Sequence, residues 1–192
     1  KIWEATLPLG NGHLGMMPDG NILNETIVLN DITLWSGGPQ DADNPEAYQY
    51  LPEIRKLLFE GKNDQAQELI YKTFVCKGAG SGRGVGSKVP YGSFEVLGNL
   101  HLQYDLDTLS KPENYYRQLS LDDATAKTVF DLNGIRYTRE YFVSFPEDVA
   151  IIHLKADKKG KLNLAIGLDR PEKFETTAEG NFLTMTGQLE NG

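Results

Sequence analysis

The chain has 192 residues, of which 40% are hydrophobic and 24% charged, with a formal net charge of −8 and a pI near 4.9. That length suits one substantial domain burying roughly 70% of its unfolded surface, and no apolar run approaches the roughly 20 residues needed to cross a bilayer. Basic residues are scattered rather than gathered in stripes, which argues against nucleic acid as a partner. The single cysteine, Cys76, cannot form an internal disulfide or a cysteine-based metal site. His13, His101 and His153 do not sit at zinc-ligand spacing, so the residues call for no metal and no cofactor.

Near the start, Gly10-Asn11-Gly12 offers three successive residues that tolerate positive φ, and a sharp turn between two short extended runs follows. His13 comes next. An Asp19-Gly20 turn leads to Ile27-Val28-Leu29-Asn30, and Leu34-Trp35-Ser36-Gly37-Gly38-Pro39 then sets a large amphipathic ring against a flexible corner. Asn44 is placed to cap a helix begun by Pro45-Glu46, and Pro52-Glu53 starts another turn. Ile54, Leu57 and Leu58 form an apolar stripe, Gly61 interrupts it, Asn63 can cap again, and Ala66, Leu69 and Ile70 continue at helical spacing. A helical insertion around residues 45–73 is therefore expected, packed on the edge or face of a sheet.

Between Lys77 and Gly92 the glycine content is too high for a helix or a well-packed strand, and a mobile connecting loop is expected. Gly82-Arg83-Gly84-Val85-Gly86-Ser87-Lys88 has serine where the phosphate-binding pattern needs glycine before lysine, and the strand-turn-helix setting is missing. From Thr125 onward period two dominates. Ala126, Thr128, Phe130 and Leu132 share one face, Asn133-Gly134 is the favoured two-residue hairpin turn, and Ile135, Tyr137, Tyr141 and Val143 share the next. Val149 to Ala156, then Leu162 to Leu168, then Asn181 to Gly187 complete a mainly β, antiparallel β-sandwich pattern. The whole reads as one domain over 1–192, cut short at both ends.

Few side chains suggest chemistry. Glu25, Asp31, Asp41, Asp43, Glu140 and Asp169 are available for glycoside-type acid catalysis, but none is marked by context as a raised-pKa acid, so surface, turn or ion-pair roles are expected. Arg139 alternates onto an otherwise apolar face, so it needs a buried partner or carbonyl, and Glu140 points the other way. Trp3 and Trp35 suit either core and interface packing or stacking on a sugar. His13 could reach a pocket or serve structurally. No catalytic constellation emerges, and Trp35 and His13 are the candidates for substrate binding or a pocket rim.

Read together, Trp3, Ala5, Leu7-Pro8-Leu9-Gly10-Asn11-Gly12, Leu14-Gly15, Leu29-Asn30 and Leu34-Trp35-Ser36-Gly37-Gly38-Pro39 resemble the amino-terminal part of glycoside hydrolase family 95, chiefly α-L-fucosidases. The likeness continues in order through Asn44-Pro45-Glu46-Ala47, Leu97-Gly98-Asn99-Leu100, Tyr137-Thr138-Arg139-Glu140 and Leu168-Asp169-Arg170-Pro171. It implies a large β-sandwich of the super-sandwich type, whose partner is the protein's own carboxy-terminal (α/α)6 barrel. That barrel performs inverting hydrolysis of terminal α-L-fucose on fucosylated glycans, so no catalytic residue is expected in this chain. The alternatives are a carbohydrate-binding module and a purely structural domain of a related α-L-galactosidase. A periplasmic or secreted location is what the resemblance suggests.

Overall fold

Alternating apolar residues need a second layer to cover them, and here two antiparallel sheets supply it for each other. The computed structural model describes residues 2–37, 41–78, 92–106 and 110–189. Contacts divide the chain into two compact units, one of Lys1–Trp35 with Phe94–Leu189, the other of Ser36–Ser93 with the last three residues.

In the first unit a short helix α1 (Ile2–Ala5) precedes β1 (Leu9–Gly10), β2 (Leu14–Pro18) and β3 (Asn24–Asp31). After the second unit's segment come β4 (Gly98–Tyr104), β5 (Glu113–Ser120), β6 (Thr125–Leu132), β7 (Ile135–Ser144), β8 (Val149–Ala156) and β9 (Leu164–Asp169). One sheet has the order β1-β2-β3-β4-β9, the other β5-β6-β7-β8. A separate ribbon pairs β10 (Phe174–Glu179) with β11 (Phe182–Gly187). The mainly β, sandwich-like architecture expected from the sequence is what forms.

Met16, Ile27, Leu102 and Tyr104 of the first sheet pack with Ala126 and Tyr141 of the second. A second cluster joins Phe130, Leu132, Ile135 and Tyr137, with the Phe130 and Tyr137 rings stacked 5.0 Å apart. Each fully buried large side chain contributes about 1.5–3 kcal/mol of transfer free energy. The expected hairpin closes as Leu132 pairs with Ile135, while Asn133 and Gly134 take φ of 53° and 69°, the left-handed pair that matches strand twist. Strand β8 coincides with the apolar run from Val149 to Ala156. Strand β9 begins at Leu164, so Leu162 precedes it, and Ile166 on this edge strand is half-exposed.

In the core the predicted partner of Arg139 proves to be Glu25. Alternation puts Glu25 on the inward face of β3 beside Ile27, and Arg139 on the inward face of β7 between Tyr137 and Tyr141. Both are sealed from solvent, at 0% and 1% exposure. Arg139 donates to Glu25 Oε2 at 2.9 Å and to the carbonyls of Asn21 and Ile22 at 2.6 and 2.5 Å. The Tyr141 hydroxyl donates to Glu25 Oε1 at 2.7 Å, and the Gly20 amide donates to the same oxygen at 3.2 Å. The guanidinium lies 4.0 Å above the Tyr104 ring, an arrangement that favours a desolvated cation. Burial pushes the Glu25 carboxyl up, against the opposing pull of Arg139 and Tyr141.

In the second unit a 3-10 turn (Ala47–Tyr50) runs into α2 (Leu51–Phe59), followed by α3 (Asn63–Thr73). The helical insertion is therefore present. Gly61, at φ 70°, ends α2: its amide donates to Leu58 O and the Lys62 amide to Leu57 O, the paired bonds that satisfy a helix's last carbonyls. Two capping expectations need correction. Asn63 is the first helical residue, and Lys62 before it makes no side-chain cap. The Asn44 side chain accepts a 3.3 Å bond from Glu46 N and donates its amide to Thr73 O and Val75 O at the far end of α3. Those carbonyls lack helical partners, which is why an amide donor serves there. The Lys77–Gly92 loop falls mostly on residues outside those described. No helix among the described residues is long and apolar enough to cross a membrane.

Breaking one side of a buried pair leaves the other charge uncompensated, at a cost of about 3–5 kcal/mol. Glu25→Gln and Arg139→Met should each lose about that much in urea unfolding. The double variant should cost less than their sum, by about 0.5–3 kcal/mol.

Candidate functional site

The two residues singled out by the sequence, His13 and Trp35, lie at the same end of the five-stranded sheet. Register explains this: Leu14 at the start of β2 pairs with Asp31 at the end of β3, so the turn before one strand meets the corner after the other. Ile32 links them directly, donating its amide to His13 O at 3.0 Å and accepting the Trp35 indole N–H at 2.9 Å.

Asn11 organises the turn. Its Oδ1 accepts from the amides of His13 and Leu14 at 2.9 and 2.8 Å. Its Nδ2 reaches the opposite sheet, donating to Ser144 O at 2.9 Å and Asp148 Oδ1 at 2.8 Å. Tolerance of positive φ does not account for asparagine here, since Gly12 takes the left-handed conformation at φ 94°. The side chain's four polar contacts do.

His13 stands between two carboxylates. Nδ1 is 2.6 Å from Asp148 Oδ2, and Nε2 is 3.4 Å from Asp31 Oδ1. The hydrogen bond to Asp148, assisted by both negative charges, raises the pKa of His13 above its ordinary value. Asp148 is lowered by Asn11 and His13, and Asp31 by its bonds from Thr33 and the charge of His13. Asp148 itself sits in the left-handed region at φ 50° in the β7–β8 turn. Only the turn composition Pro146-Glu147-Asp148 hinted at it.

Trp35 is 55% exposed and Trp3 73%, so neither belongs to the core of this chain. Trp35 is nonetheless fixed: besides its indole bond it meets the Phe94 ring edge to face, with centroids 5.8 Å apart and planes at 74°. An aromatic face held this way is presented rather than buried.

The candidate carboxylates are largely committed elsewhere. Glu140 pairs with Lys127 at 2.7 Å and His153 at 3.1 Å. Asp169 accepts from Asn99 and His101, both at 2.9 Å. Among the described residues Asp41 accepts from the backbone of Asp43. A general acid needs both a raised pKa and access to substrate, and Glu25 has the first without the second. Among the described residues no group of three or more histidine, cysteine or acidic side chains is placed to hold a metal. A cavity of about 590 Å³ lined by Ile22, Leu23, Pro112 and Tyr115 lies beside the turn at the other end of the β2–β3 hairpin, away from His13.

Residues 1–192 match the family model described as glycosyl hydrolase family 65, N-terminal domain. The chain belongs to that family. Alpha-L-fucosidase 2 of Arabidopsis thaliana is 29% identical over 190 residues, which make up 97% of this chain and 21% of that protein. Probable alpha-fucosidase A of Aspergillus niger is 30% identical over 96% of this chain and 22% of its own length. The Aspergillus oryzae protein of the same name is 27% identical over 99% and 26%. This family 65 N-terminal domain thus spans about a fifth to a quarter of the relatives it matches. Their names agree with the fucosidase class that the sequence resembles, while the matching description carries the number 65 where the resemblance pointed to 95.

The contacts of Asn11 yield a direct expectation. Asn11→Ala removes the one oxygen that accepts both turn bonds and the link to Ser144 and Asp148, and should lower stability by about 1–3 kcal/mol in urea unfolding. Asn11→Asp keeps the turn bonds but sets a second carboxylate against Asp148, and should be at least as destabilised as judged by the same measurement.

Proposed function

We propose that this chain is the non-catalytic amino-terminal domain of a glycoside hydrolase that removes terminal α-L-fucose from glycans by inverting hydrolysis. The observation that carries this reading is the match of nearly the whole chain to proteins named α-fucosidases, of which it spans 21–26%. The chemistry of the described residues supports it, since the acid with a raised pKa, Glu25, is closed off by Arg139 and Tyr141. On this reading the catalytic acid and the groups that activate water belong to a helical barrel encoded beyond these positions, and the sandwich supports that barrel.

The corner from Leu34 to Pro39 is the element that shapes the pocket rim, with Trp35 as its contact. A half-exposed indole, anchored through its N–H and braced by Phe94, offers a sugar an apolar face at little cost in side-chain entropy. Residues beyond Gly37 in that corner lie outside those described.

Two measurements test the proposal. The full-length protein should hydrolyse an aryl α-L-fucoside while the isolated 192-residue chain does not, and turnover by the isolated chain would overturn the placement of the chemistry. In the full-length protein Trp35→Ala should raise KM by about tenfold, equivalent to roughly 1.4 kcal/mol, with kcat and melting temperature little changed. An unchanged KM with lost stability would make Trp35 a packing residue.

A further inference from the structure

The clasp around His13 joins elements whose own ladders hold them weakly. Strand β1 contributes just two register pairs, Leu9 with Met16 and Gly10 with Gly15, so the turn after it depends on its outside attachments. Those attachments cross from one sheet to the other: Asn11 to Ser144 and Asp148, and His13 to Asp148. Asn11 and His13 occupy both carboxylate oxygens of Asp148, 2.8 Å from Oδ1 and 2.6 Å from Oδ2. From its own sheet His13 faces Asp31. The remaining acid of the β7–β8 turn, Glu147, is engaged by the Ser144 hydroxyl.

We propose that His13 is a protonation-dependent latch, which holds the Gly10–Leu14 turn of one sheet against the β7–β8 turn of the other when charged and releases it when neutral. The geometry favours the cation: with one carboxylate 2.6 Å from Nδ1 and another 3.4 Å from Nε2, a neutral imidazole can donate to one and must turn a lone pair toward the other. An imidazolium donates to Asp148 and meets Asp31 as an opposite charge. Releasing the turn also loosens Ile32, whose amide donates to His13 O and whose carbonyl holds the Trp35 indole. The latch itself is independent of the enzymatic reading.

The direction with pH follows from the three groups. His13, held above its ordinary 6.5, contributes fully below 6.5 and loses its contribution as pH rises through its value in the fold. Asp31 and Asp148, held below 3.8, contribute above 3.8 and lose it as pH falls. The latch is therefore closed in mildly acidic solution and opens on either side.

Hydrogen–deuterium exchange on the full-length protein, corrected for the intrinsic rate at each pH, tests this in peptides covering residues 9–16 and 144–150. Exchange in both should rise about tenfold between about pH 5.5 and pH 8.5. His13→Gln should abolish that rise, since its side chain cannot be protonated. Asp31→Asn, which keeps the bond to Asp148 and all the contacts of Asn11, should move the rise to lower pH. Unchanged protection across the range in the wild type, a rise that persists in His13→Gln, or an unmoved midpoint in Asp31→Asn would each overturn the latch.

Discussion

One buried ion pair governs how the two sheets meet. Glu25 comes from β3 and Arg139 from β7, and neither charge can be stripped of the other without stranding it in a medium of low dielectric. The pair reaches beyond itself, because Arg139 also takes up the carbonyls of Asn21 and Ile22, and Glu25 the amide of Gly20. The β2–β3 turn is thereby tied to the centre of the opposite sheet. An apolar pair of equal volume would fill the space but leave those backbone groups unsatisfied. The charge thus specifies which turn conformation and which sheet alignment go together.

The other end of the same hairpin is held differently. There the attachments are exposed, built from Asn11 and the titratable His13, Asp31 and Asp148, where the inner end uses the buried Glu25–Arg139 pair. Strands β2 and β3 are therefore anchored by a buried pair at one end and by an exposed clasp at the other. Motion of the hairpin, where it occurs, belongs to the His13 end, next to the corner that carries Trp35.

How far these features are legible from sequence depends on the range of the interaction. Period two from Thr125 onward and the Asn133-Gly134 turn identify β6 and β7, because alternation and turn chemistry are local. The need of Arg139 for a partner is also local, since it follows from an apolar face. The identity of the partner is not: Glu25 is 114 positions away, and nothing in Asn24-Glu25-Thr26 separates it from a surface acid until the fold places β3 opposite β7. Asp148 lies 135 positions from His13 and is hidden for the same reason. The helix caps failed at closer range: Asn63 is the first residue of its helix rather than the one before it, and the Asn44 amide reaches the open carbonyls at the far end of α3, 29 and 31 positions away.

The stem at which the second unit leaves the sandwich has a consequence for the length of chain it can carry. Leu34 and Glu95, Trp35 and Phe94, and then Ser36 and Ser93 zip together by successive backbone contacts. The ends of the intervening stretch are thus held side by side. Closing a longer flexible segment on such a stem costs only about 0.6 kcal/mol for each doubling of its length. Added length in flexible connections between Ser36 and Ser93 is therefore expected to cost the sandwich little, because the stem fixes where the stretch leaves and returns.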